Sequence, residues 1–92
     1  MFKATSLLIV SVLLSACASA PIQEMSDARQ AINAASKAGA AVRSPAILNR
    51  AKHHLVVAES ALDRGEYSRA KKSALKAKQQ AVKARLISVN SP

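Results

Sequence analysis

Residues 44–84 read SPAILNRAKHHLVVAESALDRGEYSRAKKSALKAKQQAVKA, and the spacing of the small and apolar side chains within them decides the fold. Leu48, Ala51, Leu55, Ala58 and Leu62 recur in a strict three-four alternation, the repeat that lays one face of an α-helix against a neighbour. Tyr67, Ala70, Ala74, Ala77, Ala81 and Ala84 resume the same alternation beyond Gly65-Glu66. Gly65 stands where a helix closing at Asp63-Arg64 needs a left-handed residue, so the two helices are joined by a tight turn and run antiparallel. Ser44-Pro45 marks the start of the first of them. A hydroxyl suited to capping is followed by a proline whose missing N–H costs nothing in a first turn. The spacing predicts helices over about 45–63 and 66–88.

Upstream, Ile22, Met25, Ala28 or Arg29, Ile32, Ala35 and Gly39 recur at three and four, which predicts a further helix over about 22–38 stopped by Gly39. Pro21 suits its first turn, and Glu24 and Asp27 place negative charge where the helix dipole favours it. Asn90 to Pro92 read as a frayed tail. Twenty of the 92 residues are Ala and two are Gly, a composition that favours helix because Ala loses no side-chain entropy there. The fold class expected is all-α, an antiparallel helical hairpin or a small three-helix bundle. A chain of this size gains only a few kcal/mol from one core, so nothing large is buried.

The N-terminus reads differently. Met1 to Lys3 carry one positive charge, Leu7 to Leu14 form a short apolar run, and small residues follow, the layout of a secretion signal too short to persist as a membrane-spanning helix. Leu14-Ser15-Ala16-Cys17 resembles the lipobox of bacterial lipoproteins. That resemblance implies cleavage between Ala16 and Cys17, a covalent diacylglycerol and an N-acyl chain on Cys17, and no other cofactor. A lone Cys in an exported chain has no internal disulfide partner. The alternative is a plain secretory signal cut near Ala18-Ser19-Ala20. The organisation expected is a signal over 1–16, a lipidated Cys and tether over 17–21, a helical domain over 22–89 and a tail over 90–92. Ala18 is not the Asp that retains enterobacterial-type lipoproteins at the inner membrane, so the resemblance implies an outer-membrane anchor facing the periplasm.

Two further resemblances lie in the mature part. Gly65-Glu66-Tyr67-Ser68-Arg69-Ala70 resembles the G-x-Y-x-x-A turn of a tetratricopeptide-type hairpin, with Ala58 and Ala77 at its small-residue positions. One copy is present, Ala74 stands in place of the large aromatic, and the closing proline is missing, so the likeness implies the turn geometry without a repeat array. Met25 to Ile32, Ala38-Gly39-Ala40 and Leu62 to Ala70 with the Ala/Lys helix after it are similar to an uncharacterised domain of short proteobacterial lipoproteins. The same domain precedes peptidoglycan-binding outer-membrane-protein-A-like domains. It implies a lipid-tethered helical hairpin and assigns no site.

Charge supplies the candidate contact surface. All five acids lie at or before Glu66, whereas Arg69, Lys71, Lys72, Lys76, Lys78, Lys83 and Arg85 follow it. A helix so unbalanced is expected to meet an anionic envelope surface: phospholipid headgroups, lipopolysaccharide phosphates or peptidoglycan carboxylates. The plainer alternative is a solvated helix rich in good helix formers. Leu75, Val82 and Leu86 form a second stripe that would pair with another helix, in a further copy or in another helical envelope protein. Lys71, Lys78 and Arg85 fall between the two stripes and must either snorkel past the contact or separate two partners. Nucleic acid is a poor partner, because export removes the chain from it and Tyr67 alone among mature residues could stack on bases.

His53 and His54 are adjacent and point about 100° apart on a helix, unlike the i,i+4 pairs that bind metal, so one partly buried and one exposed imidazole is expected and no metal site. Glu59 and Asp63 are expected as solvated acids near Arg64 and Arg69, and Tyr67 as a packing residue at the turn. No phosphate loop, cysteine cluster or nucleophile motif stands out. The functional expectation is an envelope lipoprotein of structural or adaptor type. A helix-mediated assembly module is the runner-up, and a lipid-anchored metal carrier or enzyme a remote third.

Overall fold

The computed structural model describes residues 20–91, so Ala16, Cys17 and the rest of the expected signal and lipid anchor lie outside the described residues. Within them every regular element is a helix: α1 (Ile22–Lys37), the single turn α2 (Ala40–Arg43), α3 (Pro45–Asp63) and α4 (Tyr67–Asn90). The all-α expectation holds. Only α2, squeezed between Gly39 and Ser44, has no counterpart in the spacing pattern.

Local backbone chemistry sets the boundaries. Gly39 adopts φ +87°, its N–H bonding Ser36 O at 3.1 Å, while its own carbonyl receives Val42 and Arg43 to wind α2. Gly65 adopts φ +75°; its N–H reaches Leu62 O at 3.0 Å and that of Glu66 reaches Ala61 O at 2.9 Å, the paired bonds of a Schellman close. Pro45 opens α3 as expected. Pro21 lies just before α1, not inside its first turn, and its carbonyl accepts the Met25 N–H at 3.1 Å.

Ser44 departs from expectation. Its hydroxyl does not cap α3. It is buried and donates instead to Ala84 O at 2.9 Å, with Ser88 Oγ another 2.9 Å away and itself bonded to Ala84 O at 2.8 Å. A buried hydroxyl needs a partner, and the last turns of α4 supply two. The Arg43 guanidinium also donates to Ser91 O, so α4 runs two residues beyond the predicted 88 and its end is tied down rather than frayed.

Two buried clusters fix the arrangement of the long helices. Met25 and Ala28 early in α1 meet Ala58 late in α3 and Ala74 and Ala77 early in α4. Ile32 and Ala35 late in α1 meet Leu48 and Ala51 early in α3 and Ala81 and Ala84 late in α4. Accordingly α1 and α4 run parallel with α3 opposed to both, an up-down-up bundle in which the first helix packs on the hairpin. Among the described residues eleven of the fourteen buried apolar side chains are Ala, and Met25 and Leu48 are the bulkiest fully enclosed. Such seams let backbones approach closely, and because each contact covers little area the binding force is spread along the whole helix length.

Two residues expected on the inward faces, Ile22 and Tyr67, fall outside this core. Ile22, expected on the inward face of α1, is exposed. Tyr67 is 42% exposed and does not pack into the turn. Glu24 stands level with Lys71 in the parallel pair, so Tyr67, one turn earlier, lies beyond the start of α1.

Candidate functional site

At about 100° per residue α4 divides into four rows. Ala70, Ala74, Ala77, Ala81 and Ala84 form the buried one. Lys71, Lys78 and Arg85 form the row bordering α1, Leu75, Val82 and Leu86 the row facing outward, and Lys72, Lys76 and Lys83 the row on the α3 side, each about 40° wide.

The row beside α1 is largely neutralised. Lys71 Nζ lies 3.8 Å from Glu24 Oε1, and Lys78 Nζ lies 3.9 Å from Asp27 Oδ2. These cations therefore do snorkel past the helix contact, ending on the acids of the first helix. Both pairs are partly exposed and long for ion pairs, so each adds at most about 1 kcal/mol, and their larger effect is to cancel charge on that flank. As contacts for an external anion, Lys71 and Lys78 are already engaged.

The α3-side row has no such compensation. Lys72, Lys76 and Lys83 are exposed and form no ion pair among the described residues. Arg69 meets Glu66 at 3.7 Å, one turn back on its own chain, and shares with Arg64 a shallow depression lined also by Val57, Ser60 and Ala61. Glu59 pairs with Arg29 of α1 at 3.7 Å rather than lying near Arg64 and Arg69, and Asp63 makes no ion pair among the described residues. Glu24, Asp27 and Glu59 thus pair across the α1 contacts, while Lys72, Lys76 and Lys83 stand unpaired among the described residues on the other flank of α4. Linear sequence carries no signal for this division, since it depends on which helix lies parallel to α4.

On the same flank His53 is exposed and His54 partly buried, their ring centres 6.0 Å apart. Burial pushes the His54 imidazole below its ordinary range, with the neighbouring charges of His53 and Lys76 acting in the same direction. No group of three or more His, Cys, Asp or Glu residues able to hold a metal ion occurs among the described residues. Nor is any described helix long and apolar enough to cross a membrane. Leu75, Val82 and Leu86 are 43%, 42% and 53% exposed, a continuous apolar ridge on the outside of the bundle.

Three long helices around an alanine core, with a cationic last helix, define a small all-α bundle. The family model described as Domain of unknown function (DUF4398) matches residues 23–88, from the first turn of α1 almost to the end of α4, and the chain belongs to that family. No curated protein and no solved structure matches the chain.

Proposed function

We propose that the chain is a lipid-anchored envelope protein of structural or adaptor type, not a catalyst, whose last helix meets an anionic surface. The observation that carries this is the one-sided charge of the bundle: Lys72, Lys76 and Lys83 lie free on one flank while the acids of α1 neutralise the other. Anionic phospholipid, lipopolysaccharide phosphate and peptidoglycan carboxylates all offer the complementary charge. The anchor rests on Leu14-Ser15-Ala16-Cys17, and Ala18 favours the outer membrane with the domain facing the periplasm. Similarity to short lipoproteins, and to domains preceding outer-membrane-protein-A-like modules, points to the same compartment.

Metabolic labelling tests the anchor. The full chain expressed in a Gram-negative host with radiolabelled palmitate should carry label and fractionate with the outer membrane, whereas Cys17→Ser should carry none. Unchanged label in Cys17→Ser, or an unlabelled soluble wild-type chain, would refute the anchor. A second reading is favoured by the exposure of Leu75, Val82 and Leu86, namely helix-mediated assembly with another envelope protein. Such a contact would persist at high salt and be lost in Leu75→Lys or Val82→Lys.

A further inference from the structure

Resting on the surface-contact reading, we infer that the anionic surface is a lipid bilayer, and that α4 lies along it with Leu75, Val82 and Leu86 dipped into the headgroup boundary. The inference comes from what stands on either side of the ridge. Leu75, Val82 and Leu86 cover about 16 Å of helix, and Gln79 with Lys78 completes a shallow groove between the first two. Lys72, Lys76 and Lys83 border the ridge on one side, and on the other stand Lys71, Lys78 and Arg85, of which Lys71 and Lys78 are held by Glu24 and Asp27 of α1; α4 itself carries no acid. An apolar strip with an unpaired lysine row along its border is the pattern of a helix lying in a membrane interface: the apolar side chains enter the acyl boundary while the stems of Lys72, Lys76 and Lys83 extend sideways and hold ammonium groups at the phosphates.

Other occupants fit less well. A second copy docked antiparallel, ridge on ridge, would set the unpaired row of Lys72, Lys76 and Lys83 against its own counterpart, a like-charge contact. Peptidoglycan and lipopolysaccharide sugar would answer the lysines and leave the ridge without a partner. A bilayer of anionic lipid answers both. The rigid neighbours also matter, since α1 and α3 hold α4 helical before contact, so no folding cost accompanies binding.

Single-cysteine fluorescence tests the assignment. In a chain starting at residue 17 with Cys17→Ser, an environment-sensitive dye is placed by Leu75→Cys, Val82→Cys or, as control, Val56→Cys, an exposed site on α3. Circular dichroism confirms that each variant keeps its helices, and vesicles of phosphatidylcholine with and without phosphatidylglycerol are added while pelleting is measured in parallel. Blue shifts at positions 75 and 82, absent at 56 and absent with pure phosphatidylcholine, are expected. Replacing Lys72, Lys76 and Lys83 with Gln should weaken vesicle affinity on the order of a hundredfold. Salt-sensitive pelleting with positions 75 and 82 still in water would overturn the ridge insertion and leave the surface reading intact. Binding to purified peptidoglycan alone would do the same, while binding to neither would overturn both. A blue shift that grows with protein concentration in the absence of vesicles would assign the ridge to a second copy and overturn the proposal.

Discussion

Gly65 shows how much a single residue decides in a bundle this small. Its φ of +75° lies where side chains are disfavoured, yet nothing stands within 4 Å of where a Cβ would sit, so Gly65→Ala isolates the backbone cost without a clash. That cost is about 1–2 kcal/mol, which in a domain of this size lowers Tm by several degrees. A thermal melt followed by circular dichroism should show it, and an unchanged Tm would mean the turn relaxes. His54 sets a pH dependence of definite sign. Its folded pKa is lowered, chiefly by burial, so the unfolded chain binds the proton first. The contribution is full above pH 6.5 and is lost as pH falls from there through the folded value. Melts of the wild type and His54→Gln at pH 5 and pH 8 should therefore differ, the variant losing less stability on acidification; equal losses would contradict the assignment.

At the scale of the elements, the alanine seam is the device that needs testing. Ala77 is fully buried where α4 meets α1 and α3, and Ala77→Leu would wedge the helices apart. Overpacking of a tight core costs typically about 1–3 kcal/mol, a large share of what so small a domain has, whereas Leu75→Ala on the exposed ridge should change stability by at most about 0.5 kcal/mol. Urea titration of both variants checks the contrast, and equal midpoints would mean that the seam is not the core. Most of this level could be read from sequence. The three long helices, the stops at Gly39 and Gly65 and the start at Pro45 follow from chemistry within a few residues of each boundary. What escaped depended on distant neighbours. The Ser44 hydroxyl turned to Ala84 and Ser88 forty residues away, and Tyr67 stayed exposed because α1 begins too late to cover it.

For the whole molecule the decisive fact is how charge is distributed over the bundle. The excess of cations after Glu66 is plain in the sequence, and so is the ridge of Leu75, Val82 and Leu86. Their separation into engaged and free groups is not, because Lys71 meets Glu24, and Lys78 meets Asp27, only once α1 lies parallel to α4. That division makes the surface-contact account testable by comparing lysine replacements on the two flanks of α4. The direct measurement is co-sedimentation of the Cys17→Ser chain from residue 17 with anionic vesicles and with peptidoglycan, at low and high salt. Replacing Lys72, Lys76 and Lys83 with Gln should weaken salt-sensitive binding on the order of a hundredfold, while replacing Lys71 and Lys78 should weaken it far less. Equal losses in the two variants, or binding indifferent to both and to salt, would contradict the account.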